Sequence, residues 1–122
     1  MVVALELKQG DTWLLTVGWY QPLPNSSQPD LSNPVNITGH TARLQVRRRL
    51  GDLDAPALAL TSSPAAGLVV DGPAGLVTSR ATPAQTAAIA AGMWYWELEL
   101  SNGTDTHTIA EGPLTVRGQV VR

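Results

Sequence analysis

The stretch from Thr82 to Leu100 constrains this chain more than any other, because a capped helical turn there runs straight into an amphipathic strand. Thr82 is a good N-cap, Pro83 suits the first helical position, and Gln85 is placed to reach back as in a capping box. Ala87–Ala91 favour helix and Gly92 stops it, so one short helical turn is predicted over about 82–91. From Met93 the period changes to two. Trp94, Trp96, Leu98 and Leu100 then point one way, and Tyr95, Glu97 and Glu99 the other. A strand with one large apolar face and one charged face belongs in an antiparallel sheet covered on one side.

The same alternation recurs about every ten residues, with turn chemistry in the gaps, which is the pattern of a sandwich or barrel. Val3, Leu5 and Leu7 alternate before the Gly10-Asp11 turn, and Trp13, Leu15, Val17 and Trp19 share a face after it. Thr41–Arg47 turns Ala42, Leu44 and Val46 inward, and weaker runs follow at Ala57–Thr61, Gly67–Val70 and Leu76–Ser79. After a turn at Ser101–Asp105, Thr106–Glu111 returns, and Leu114, Val116, Gly118 and Val120 form a last run. The count is seven to nine strands and one helical turn. With 122 residues, 1–122 reads as a single all-β domain. A helical turn crossing between strands just before an aromatic-rich strand and its hairpin partner is how immunoglobulin-like sandwiches link their sheets. The predicted fold is therefore an immunoglobulin-like antiparallel β-sandwich, with Trp13, Trp19, Trp94 and Trp96 as core residues. Gln21–Asn36 carries Pro22, Pro24, Pro29 and Pro34, too many prolines for a central strand, and is predicted as a long exposed loop. Loops of that length in compact domains are usually functional.

Several classes of function are disfavoured at once. Without cysteine the chain has no disulfide, thiolate metal site or cysteine nucleophile. A net charge of −2 gives no global pull toward nucleic acid or an anionic membrane. Met1–Glu6 lacks a basic, then apolar, leader, and no run approaches the roughly 20 apolar residues of a spanning helix. Synthesis in a cytoplasm without secretion is expected. Asn25, Asn36 and Asn102 head Asn-x-Ser/Thr triplets, which without a leader are expected to be turn residues.

The residues able to carry chemistry are sparse. His40 follows Gly39 in a turn and His107 lies in a hairpin strand, without the nucleophile and orienting acid a triad requires. Glu97 and Glu99 share a face and offer paired acids, but such pairs are more often the wet side of a strand. Asp52 and Asp54 offer oxygen ligands, yet the full calcium-loop pattern is absent and a solvated turn is favoured. Arg47-Arg48-Arg49 alternates between faces, so a strand end bound to acidic neighbours or to a partner subunit is expected in place of a phosphate patch. No constellation describes an enzyme, and no cofactor or metal is expected.

The order of motifs carries a resemblance. Leu7-Lys8-Gln9-Gly10-Asp11-Thr12 opens a long strand. Val35–Arg47 follows, then Thr82-Pro83-Ala84-Gln85-Thr86 through Gly92–Leu98, and finally Glu111-Gly112-Pro113-Leu114-Thr115-Val116. Outside Pro22–Asn33 and Leu50–Gly75, the chain resembles a family of small tailed-bacteriophage virion proteins. It is similar to the N-terminal immunoglobulin-like domain of phage baseplate upper proteins and to small tail-fibre-associated proteins. The resemblance implies a non-enzymatic structural protein of the virion, present in many copies or as an oligomer. Its partners would be tail, baseplate or fibre subunits, with no nucleic acid and no membrane. Relatives in that family often continue into a further C-terminal region, so an adaptor role is expected ahead of direct receptor binding. The Gln21–Asn36 loop and the C-terminal Gly118–Arg122 are the natural contact elements. Pro22, Pro24, Pro29, Arg47, Arg49, Arg117 and Arg122 are the candidate partner contacts. A capsid decoration protein is the alternative within the virion. A carbohydrate-binding module using Trp19, Tyr20 or Tyr95 as an exposed platform is the alternative outside it.

Overall fold

The computed structural model describes residues 1–120. Along the chain these form β1 (Leu5–Lys8), β2 (Trp13–Gly18), β3 (Tyr20–Pro22), β4 (Pro29–Pro34), β5 (Thr41–Arg47), β6 (Leu58–Thr61), β7 (Leu68–Asp71) and β8 (Leu76–Ala81), then α1 (Pro83–Ala87), β9 (Gly92–Ser101) and β10 (Thr106–Arg117). The structure is all-β apart from α1. A five-stranded sheet has the order β1-β10-β9-β5-β6, a three-stranded sheet the order β2-β8-β7, and β3 and β4 form a two-stranded sheet.

Alternation drives the inner faces together. Ala42, Leu44 and Val46 of β5, Trp96, Leu98 and Leu100 of β9, and Leu114 and Val116 of β10 are all buried. So are Trp13 and Val17 of β2, Leu68 of β7, and Val77 and Ala81 of β8, and the two sheets contribute to one apolar cluster. Burial of this kind is the main stabilising term, at about 25 cal/mol per Å² of apolar surface. The polar groups that Trp13, Ser79 and Trp96 bring inside are paired, because an unpaired buried donor or acceptor is costly. The Trp13 indole N–H donates to Ser79 Oγ at 2.9 Å, and that hydroxyl donates to the Leu15 carbonyl at 2.9 Å. The Trp96 indole N–H reaches the Val3 carbonyl at 3.0 Å.

The helical turn carries the chain from β8 in one sheet to β9 in the other. Both halves of the capping box form: the Gln85 N–H donates to Thr82 Oγ1, and the Gln85 side chain accepts from the Thr82 N–H. The helix stops at Ala87, short of the predicted Ala91, because the chain bends to bury Ile89 and to offer the Ala90 carbonyl to the Trp94 indole at 2.8 Å. Thr86 clasps the far end of the molecule. Its hydroxyl accepts from the Gly10 N–H at 3.1 Å and lies 2.7 Å from the Asp11 carbonyl, to which it donates.

Three further expectations are corrected. β1 runs parallel to β10, so the sheet is mixed and not purely antiparallel. The two predicted C-terminal runs are one strand that continues through Gly112-Pro113, with an irregularity between Thr108 and Ala110, and ends at Arg117. Gly112 permits this, since a Cβ there would stand 2.1 Å from the Val3 carbonyl oxygen. The predicted Gln21–Asn36 loop is largely a two-stranded ribbon. Its prolines are tolerated because, among the described residues, β3 and β4 have no second neighbours, so a missing N–H breaks no wider ladder. Among the described residues no helix is long and apolar enough to cross a membrane.

Candidate functional site

The outer face of the five-stranded sheet carries an open groove of about 280 Å³. Its floor comes from alternate residues of β5 and β9: Arg43, Gln45 and Arg47 on one, Tyr95, Glu97 and Glu99 on the other. One wall is the β5–β6 connection, where Arg49, Leu50 and Leu53 stand. Leu53 is 98% exposed and Leu50 76%, an apolar tip that solvent alone does not favour.

Most charges of this floor are engaged within the chain. Arg43 Nη2 meets Glu99 Oε1 at 2.6 Å. Arg47 donates to Gln45 Oε1 from Nε and Nη2 at 3.2 and 3.0 Å, and from Nη1 to the Asp52 carbonyl at 3.1 Å and to the Asp54 carbonyl. The guanidinium therefore staples the β5–β6 loop through backbone oxygens, not through the carboxylates of its acidic neighbours. Glu97 accepts from Thr108 Oγ1 at 3.3 Å and stands opposite Glu111 in the β9–β10 register. Asp52 closes a local turn on the Asp54 N–H at 3.0 Å. Among the described residues no group of three or more His, Cys, Asp or Glu is placed to hold a metal ion.

The remaining candidates scatter. Arg48 leaves the face of Arg47, as alternation requires, and lies over the Trp94 ring with 5.0 Å to its centroid. His107 packs on Trp19 at 5.2 Å between ring centroids, and His40 keeps Nδ1 buried without a partner among the described residues. Arg47 and Arg49 line the groove together. Pro22 and Pro29 face each other across the ribbon, and Pro24 lies in its exposed turn. Arg117, at the end of β10, pairs with Glu6 at 2.7 Å. Arg122 lies outside the described residues. The predicted contacts thus fall on three separate elements and form no single patch.

Compared with known proteins, the chain matches no family model and no curated sequence. Function has to be argued from its own surfaces. On those, sequence reasoning missed Leu50 and Leu53, although two leucines flanking Gly51-Asp52 in a turn are a visible signal. It also missed Leu14 and Val69, both exposed on the outer face of the three-stranded sheet. The alternation of β2 already turned Leu14 away from the core.

Proposed function

We propose that this chain is a non-enzymatic, immunoglobulin-like sandwich that works as a structural adaptor of a bacteriophage virion, at the tail, baseplate or fibre attachment. The division of the strands into sheets of order β1-β10-β9-β5-β6 and β2-β8-β7, with a helical turn leading from β8 into β9, supports the immunoglobulin-like part of this reading. The ion pair on Glu99, the Thr108 contact of Glu97 and the loop-stapling role of Arg47 give these side chains structural work.

The observation that carries the reading is the β3–β4 ribbon. It belongs to neither main sheet, its connecting residues are exposed throughout, and Leu31 is 73% exposed on it. A hairpin ordered by its own bonds, such as Leu23 N–H to the Gln28 carbonyl at 2.8 Å, loses little entropy on docking. Replacing Pro22–Asn33 by a tight turn tests it. Loss of the chain from purified particles, with the thermal transition kept, supports docking through the ribbon. Unchanged incorporation removes it.

A second reading has one observation in its favour: Tyr95 is 38% exposed in a groove edged by hydrogen-bonding side chains, as a glycan platform would be. Tyr95→Ala in a glycan-array assay decides that case, because a platform residue abolishes the signal.

A further inference from the structure

The open sheet edges of this molecule are unlike one another. β1 carries Glu6 and Lys8. β6 is four residues long, between Pro56 and Pro64, and β7 is four residues long and ends on Asp71. Charge, proline and shortness are the devices that keep an edge from pairing with a foreign strand. β2 has none of them. It is six residues, Trp-Leu-Leu-Thr-Val-Gly, and among the described residues its strand partner is β8 alone.

A groove lies beside that edge. β1 and β2 are joined by a tight turn, in which the Asp11 N–H donates to the Lys8 carbonyl at 3.1 Å, yet they enter different sheets. The space between them, about 190 Å³, is lined by Leu5–Lys8, Asp11, Thr12 and Trp13–Leu15. Leu5 and Leu15 are half-buried there and pack on the core cluster. Leu14 stands 68% exposed on the outer side.

We propose that β2 accepts an extended segment of a partner protein, laid in this groove as a fourth strand of the β2-β8-β7 sheet. Backbone hydrogen bonds to the free side of β2 would supply affinity, and alternate side chains specificity. The segment has apolar residues at alternate positions, to reach Leu5 and Leu15. It carries no charge along its length, because β2 offers none to pair with and the charges on the rest of the lining, Glu6, Lys8 and Asp11, are of mixed sign, with Glu6 already held by Arg117. It is a lone segment and not a second copy. A groove bounded by β1 and closed by the Gly10-Asp11 turn takes one strand, whereas a second copy's β2 arrives attached to its own β8 and β1. The inference adds a contact separate from the ribbon, and rests on the assembly reading only in taking the occupant to be a protein.

The test is an amide-shift titration of the full chain with a short capped peptide of alternating valine and serine, and with its valine–glutamate counterpart. Saturable shifts at Trp13–Gly18 and Leu5–Lys8 with the uncharged peptide, but not with the acidic one, are expected. The double variant Leu14→Lys, Thr16→Lys alters only exposed positions of β2 and weakens that binding about fivefold, as loss of two cross-strand pairs would. No response at Trp13–Gly18, an equal response to the acidic peptide, or shifts confined to the ribbon overturns the proposal. Concentration-dependent shifts of the same amides without peptide also overturn it, since the occupant is then a second copy. None of these results bears on the ribbon, whose part is decided by incorporation into particles.

Discussion

Strand β9 and the β3–β4 ribbon are both hairpin-paired, but they are held by opposite means. β9 has neighbours on both sides and drives Trp96, Leu98 and Leu100 into the core, so its partners and its buried face fix it together. The ribbon has no third strand among the described residues, and its order comes from short-range bonds. The Ser32 N–H and hydroxyl both reach Asp30 Oδ1, at 3.1 and 2.6 Å, and the Gln28 N–H reaches Ser26 Oγ at 3.1 Å. A strand of the first kind resists change everywhere along its inner face. One of the second kind leaves its side chains available for something else.

Substitutions can break or sharpen that contrast. Leu98→Ala, in the centre of β9, is expected to cost about 3 kcal/mol by chemical denaturation, from lost burial and the cavity left behind. Thr86→Val keeps the shape but strands the Gly10 N–H and the Asp11 carbonyl; about 2 kcal/mol is expected. Arg43→Ala removes the ion pair with Glu99 on the outer face of β5 and β9. With Arg43 61% exposed, the expected loss is about 0.5 kcal/mol and vanishes in high salt, as a salt series of melting curves would show. Leu31→Ala on the ribbon is expected to leave stability within about 0.5 kcal/mol while reducing incorporation into particles. A large stability loss there would mean that the ribbon is a buttress of the fold, and the contrast with β9 would collapse.

The same contrast explains what could be read in advance. β5 begins and ends where alternation placed it, at Thr41 and Arg47, and β9 extends the predicted run by one residue at each end. Both have an inner face long enough for period two to register. The capping box was legible because Thr82 and Gln85 act over three residues. The parallel pairing of β1 with β10 was not legible, because strand direction is set by distant partners. The extent of α1 also escaped, since Ala88–Ala91 have helical propensity but tertiary contacts at Ile89 and Trp94 override it. The ribbon was hidden by its prolines, which exclude a central strand but not an isolated pair. In the groove, alternation placed Arg47 on the outer face. Its acceptors, the carbonyls of Asp52 and Asp54, belong to a loop whose path no local pattern specifies.

The parallel pairing of β1 with β10 has a temporal side. The Met1 amino group bonds the Ile109 carbonyl, 108 residues on, and Leu5 sits beside Leu114. During synthesis β1 emerges from the ribosome well before β10 and waits for it before it has any sheet to join. Until then Leu5 and Leu7 have no place to be buried, and the Thr86 clasp has nothing to anchor beyond a loose turn. Closure of so long a loop is slow relative to local hairpins. From the emergence of β1 to that of β10 the nascent chain has one sheet unfinished, and a chaperone or an early partner has that whole interval in which to act.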